Sequence, residues 1–209
     1  MFSIADVFKT GIYGLFNRPY LTTDLLELEP PLAVHVSDTP SFCYPYIFRL
    51  VQQLRPLVLI HTGDLIDEIK LEIKPTELKA YAGKLKPVCK KLEQLPVENI
   101  YLVPGNHDHV ETILGLVRRS VVLPEKSWIE LEGLQFFLSH KYYDIEVDAD
   151  FYLFGHSLPE MDWINRRTIP LNGIPHINII SLSTKNTYTL AYPFGTDSAR
   201  TMLLPKIGL

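Results

Sequence analysis

Residues 57–67 read Leu57-Val58-Leu59-Ile60-His61-Thr62-Gly63-Asp64-Leu65-Ile66-Asp67. An apolar run with no polar alternation is the pattern of a strand buried on both faces, as parallel strands between helices are. This one stops at a glycine and delivers an aspartate at its carboxyl end. The same construction occurs twice more. Leu32-Ala-Val-His-Val36 runs into Ser37-Asp38, and Ile100-Tyr-Leu-Val103 runs into Gly105-Asn106-His107-Asp108. Amphipathic stretches separate the three. Apolar residues at 43, 47, 50, 51 and 54 predict a helix over Cys43 to Leu54. Leu78, Ala82, Leu85, Cys89, Leu92 and Leu95 predict another over 76–95, kinked at Pro87, and His109 to Arg118 supplies a third. Three strand–helix repeats predict parallel strands joined by right-handed crossovers.

Past residue 120 the rhythm changes. Trp128–Leu131, Leu134–Leu138, Phe151–Phe154, His176–Leu182, Thr187–Tyr192 and Arg200–Leu204 all read as strands, joined by turn-like connections such as Glu132-Gly133 and Lys185-Asn186. An α/β first half and a strand-rich second half predict a four-layer α/β/β/α sandwich, two mixed sheets face to face with helices outside. Pro30-Pro31 marks the one candidate boundary, between an N-terminal extension (1–30) and the main domain (31–209). In the extension, Phe2, Ile4, Val7, Phe8, Ile12, Leu15 and Phe16 fall loosely at helical spacing, so a helix packed on the domain is expected.

Composition narrows the function classes. The chain has 209 residues, 46% apolar and 21% charged, enough to bury a substantial core. A net charge of −4 without a long basic block argues against wrapping nucleic acid. No run of 18 uncharged apolar residues exists, so no membrane span is expected, and the N-terminus lacks the basic head of a signal peptide. Two cysteines, Cys43 and Cys89, are too few for a disulfide framework. They fit reduced core thiols and a cytoplasmic location.

The polar residues gather at strand ends. In open parallel sheets ligands bind outside the carboxyl ends of strands. Asp38, Asp64 and Asn106-His107-Asp108 therefore converge, and Phe137-Leu-Ser-His140 and Leu153-Phe-Gly-His156 add two histidines in the same context. Carboxylate, amide and imidazole donors form a hard-to-borderline set suited to Mn²⁺, Fe or Zn²⁺. His35 and His61 each sit three residues before an aspartate, so strand alternation turns them to the opposite face, as sheet or core groups. Asp108 is equally readable as the cap of the helix that begins near His109.

In order and in strand-end context, Gly63-Asp64-Leu65-Ile66-Asp67, Gly105-Asn106-His107-Asp108, His140 and Gly155-His156 resemble the calcineurin-like metallophosphoesterase superfamily. The resemblance implies a binuclear site and two departures from it. Asp38-Thr39-Pro40 carries proline where the family has histidine, and Gly155-His156-Ser157-Leu158 carries leucine for its second histidine. Both losses fall on one position, which keeps only Asp38 and the bridging Asp64, with Glu160 and Asp162 as candidate rescue ligands. The other position keeps Asp64, Asn106, His140 and His156. A third departure replaces the family's asparagine-proline-glycine-serine turn with Asn178-Ile-Ile-Ser181. His107 resembles the catalytic histidine that assists the leaving group, and Asp67 the aspartate that orients it. The expectation is a metal-dependent phosphoesterase acting on a small phosphorylated substrate through one well-formed divalent metal position. The alternative is a catalytically silent binding scaffold, as the retromer subunit with this fold is. In either case the N-terminal segment is the candidate surface for a protein partner or a second copy.

Overall fold

The computed structural model describes residue 9, residues 12–14, 16–158 and 167–201. Among them, six strands form one mixed sheet: β1 (Leu32–Val36), β2 (Val58–His61), β3 (Asn99–Leu102), β4 (Val121–Val122), β9 (Ile177–Ser181) and β10 (Thr187–Leu190). Their order is β10-β9-β1-β2-β3-β4, with β1 to β4 parallel and β9 antiparallel to both its neighbours. A second mixed sheet runs β5 (Ser127–Leu131), β6 (Leu134–Leu138), β7 (Phe151–Phe154) and β8 (Ile169–Asn172). Helices α1 (Thr23–Leu26), α2 (Tyr44–Leu54), α3 (Leu78–Leu92), α4 (Val110–Leu116) and α5 (Thr196–Arg200) complete the described elements.

Strand alternation divides the core. Ala33, Val58, Ile60 and Ile180 face Phe136, Leu138, Phe151 and Leu153 of the second sheet, with Phe136 and Phe151 stacked at 5.0 Å. Val34, Val36, Leu59, Ile100 and Leu102 point the other way, onto Ile47 and Leu50 of α2, Leu85 and Cys89 of α3, and Ile113 of α4. This is the pair of mixed sheets flanked by helices that the sequence implied. Over the outer face of the second sheet, the described cover is the loop carrying Tyr142, Val147 and Ala149. Both cysteines are buried and free, and no described helix is long and apolar enough to cross a membrane.

Some local expectations change. α3 runs unbroken through Pro87. Arg200 ends helix α5 instead of starting a strand, because Gly195 at φ +85° turns the chain into a helix there, and residues 202–204 lie outside the described residues. Asn178–Ser181 is plain interior strand within β9, with Asn178 buried. Of the N-terminal stripe, Phe2, Ile4, Val7, Phe8 and Leu15 lie outside the described residues, as do Glu160 and Asp162. Ile12 and Phe16 are exposed, and the extension meets the core through Leu21 and Leu25.

Candidate metal centre

Each motif sits where a strand ends in a sharp turn. Asp38 (φ 49°), Asp64 (φ 56°) and His156 (φ 65°) all adopt left-handed backbone, a conformation that costs a non-glycine residue about 1 kcal/mol or more. Asp108 offsets that cost at Asp64. Its Oδ2 accepts from the amides of Asp64 and Gly105, both at 2.8 Å. Its Oδ1 accepts from Leu65 N (2.9 Å) and Tyr81 Oη (2.7 Å). The helix cap is His109, whose Nδ1 accepts from Thr112 N, so Asp108 is a clasp between two motif loops and not a cap. The glycines answer to close approach. A Cβ on Gly63 would lie 2.3 Å from His140 Nδ1, and one on Gly155 1.9 Å from Ser37 Oγ.

The turns bring the expected ligands together. Donor atoms of Asp64, His140 and His156 lie within 4.8 Å of one another. His140 Nδ1 is 2.7 Å from the Thr62 carbonyl, which has no proton to give, so Nδ1 carries the hydrogen. The other ring nitrogen, Nε2, is turned into the site. It faces Asn106 Oδ1 at 2.9 Å, His156 Nδ1 at 3.2 Å and Asp64 Oδ2 at 3.5 Å. The Asn106 amide is fixed by its other end, Nδ2 donating to Glu72 Oε2 at 2.5 Å. Nitrogens of two imidazoles, an amide oxygen and a carboxyl oxygen therefore gather at one place. This donor set fits Mn²⁺, Fe or Zn²⁺.

Asp38 lies on the neighbouring side of Asp64. Its Oδ2 accepts from Ser37 Oγ (2.6 Å) and His156 N (3.0 Å). Behind it, Arg200 donates Nε to the Asp38 carbonyl at 2.7 Å, fixing that turn from α5. Asp67, expected to orient His107, has an ammonium beside it. Its carboxylate pairs with Lys70, three residues along the same turn, and groups with Asp38 and Asp64 within 4.8 Å. His107 Nε2 instead lies 3.3 Å from Asn106 Nδ2, and the His107 amide donates to Asp64 Oδ1 at 2.9 Å. An ammonium within reach on the same turn satisfies this buried carboxylate strongly. Pro40 is buried, Leu158 is 68% exposed, and neither carries a ligand atom.

Electrostatics marks the same place. Burial, then Asp108, Asp38 and Asp67, push the Asp64 carboxyl well above its usual range. Burial and Asp38 push Asp67 up to about 7, opposed by Lys70. Burial, then Lys70, lowers His107 to about 4, and burial and His140 lower His156. Burial is the largest cause of all four shifts, and the mutual repulsion of the carboxylates is the part that a bound cation would relieve.

The calcineurin-like phosphoesterase family model matches residues 32–204. The chain belongs to the calcineurin-like phosphoesterase family. Among solved structures, one that is 10% identical superposes on this phosphoesterase-family chain with a TM-score of 0.56, over 78% of this chain and 100% of the other. The shared feature at that identity is the fold. YfcE, a phosphoesterase from E. coli, is 18% identical (TM-score 0.47, 77% of this chain and 98% of that one). A Thermotoga maritima protein solved by solution NMR is 14% identical (TM-score 0.44, 78% and 98%). No protein with a curated description matches.

Sequence reading missed Glu72, Lys70 and Glu125. Glu125 holds the His140 amide at 2.8 Å. All three lie in connecting segments, where a charged residue carries no periodic signal. The buried histidines were legible: His35 Nε2 meets Thr62 Oγ1 at 2.8 Å and His61 Nε2 meets Thr39 Oγ1 at 3.0 Å, both beneath the site.

Proposed function

We propose that this chain hydrolyses a small phosphomonoester or phosphodiester, using one well-formed metal position made by Asp64, Asn106, His140 and His156. The observation that carries the proposal is the gathering of metal-ligand atoms around His140 Nε2, with Asn106 Oδ1 at 2.9 Å and His156 Nδ1 at 3.2 Å. A divalent ion there would supply charge to a phosphate oxygen and acidify a water. The chain's own residues supply the rest. Glu72 and Glu125 orient Asn106 and His140 from outside. Asp64 Oδ1 anchors the His107 amide, which holds the imidazole at the mouth of the site. His107 is neutral in the metal-free protein because burial and Lys70 both disfavour its charge. An arriving phosphate anion counters the charge of Lys70 and favours the protonated ring, which then gives its proton to the leaving oxygen.

The test is hydrolysis of 4-nitrophenyl phosphate and bis(4-nitrophenyl) phosphate with Mn²⁺. His107→Ala should lower kcat on the order of 10²-fold, with no recovery in excess metal. His156→Ala should lose activity through metal affinity and regain part of it in excess Mn²⁺. Equal rates for wild type and His107→Ala across Mn²⁺, Zn²⁺ and Fe²⁺ would overturn the enzymatic reading and favour the binding-scaffold alternative, to which the losses at Pro40 and Leu158 also point.

A further inference from the structure

We propose that the ammonium of Lys70 takes the place of the second metal ion: it neutralises the Asp38–Asp64–Asp67 carboxylates and keeps a second divalent cation out. The inference rests on the one-metal reading above and explains how that reading is built. Three carboxylates with ligand atoms within 4.8 Å of one another, at 5%, 2% and 1% exposure, cannot all stay ionised without a counter-charge. Two kinds of counter-charge are available to such a group, a metal ion or an amine. The two imidazoles that the family places there are gone, with the buried Pro40 and the exposed Leu158 in their positions, so only carboxylates are left to compete with the ammonium for an ion. The amine is present. Lys70 Nζ donates to Asp67 Oδ1, and its side chain is only 15% exposed. Among the described residues, no other lysine or arginine is bonded to any of these three carboxylates. Loss of two neutral ligands and gain of a fixed cation together exchange a dissociable ion for a built-in charge. An ammonium also has three donors, so beyond Asp67 it keeps hydrogens for a further carboxylate or an incoming phosphate oxygen. Unlike a metal ion, it cannot dissociate.

Metal content separates the outcomes. Protein loaded with MnCl₂ and desalted is assayed by elemental analysis and by electron paramagnetic resonance. Wild type should hold about one Mn²⁺ per chain with an uncoupled spectrum, Lys70→Arg the same, and Lys70→Gln about two with an exchange-coupled spectrum. Two Mn²⁺ in wild type would overturn the one-metal reading and this inference with it. One Mn²⁺ in wild type and one in Lys70→Gln would overturn the role of Lys70 alone. If Lys70→Gln does not fold, wild type still decides through ¹⁵N-detected lysine ammonium resonances. A protected Lys70 ammonium that persists from one equivalent of Zn²⁺ into excess is expected, and its absence or its loss in excess Zn²⁺ overturns the proposal.

Discussion

At the scale of single residues, the Asn106 amide has two ends with opposite demands. Its oxygen faces His140 Nε2 and its nitrogen donates to Glu72 Oε2. Glu72 accepts only, so it forbids the flipped amide that would turn N–H groups toward the ligand cluster. Glutamine at 72 carries a donor of its own and removes that constraint. Glu72→Gln should therefore weaken Mn²⁺ binding by about tenfold, the lower end of what outer partners of metal ligands contribute, while Glu72→Asp keeps more of it. Calorimetric titration with Mn²⁺ checks this, and unchanged affinity in Glu72→Gln would remove Glu72 from the site. The residues that gather there were legible as a cluster because each closes an apolar strand at a glycine or serine. Glu72 and Lys70 were not, because a charged residue in a loop after a motif looks like any solvated surface residue until its partner is placed.

Between elements, the decisive group is Asp108. One half-buried carboxylate accepts from the amides of Asp64, Leu65 and Gly105 and from Tyr81 of α3, so it ties the loop after β2 to the loop after β3. Asparagine has the same shape but turns an N–H₂ toward one set of these donors. Asp108→Asn should cost about 2–3 kcal/mol of stability by leaving buried amides unpaired, and it should lower metal affinity by relaxing the left-handed turn at Asp64. Urea unfolding of the metal-free protein measures the first effect. A loss under 0.5 kcal/mol, within the range of an ordinary surface change, would show that the clasp is not needed. The sequence left Asp108 between a cap and a site residue because both readings place a carboxylate before a helix. Only the fold shows that His109 holds the cap. Strand β8 was missed for a related reason. Pro170 argues against a strand in a single-sequence reading, but β8 is the edge of its sheet, where a residue without an N–H is tolerated.

For the molecule as a whole, the core beneath the site makes its stability depend on pH. His35 is fully buried with both nitrogens used: Nδ1 accepts from Asn178 Nδ2 at 3.1 Å, so Nε2 donates to Thr62 Oγ1. Burial lowers His35 from 6.5 to about 3, so below pH 6.5 the unfolded chain binds a proton that the folded one refuses. That contribution is whole above pH 6.5 and falls by about 1.4 kcal/mol per pH unit down to about pH 3. Between pH 7.5 and 5, wild type should lose about 2 kcal/mol more than His35→Gln, the titrations of Asp64 and Asp67 being common to both chains. Urea unfolding at the two pH values checks it, and parallel losses would contradict a neutral buried His35. The two-sheet architecture was legible at this scale because its strands are either continuous apolar runs or clean alternations. The charge balance of the centre was not, since it depends on which carboxylates share one turn. The most direct test of the one-metal account is anomalous scattering from crystals soaked in Mn²⁺. The account predicts one strong peak, about 2.0–2.2 Å from donor atoms of Asp64, Asn106, His140 and His156. Two peaks of equal strength about 3.5 Å apart, one of them on Asp38 and Asp67, would contradict it.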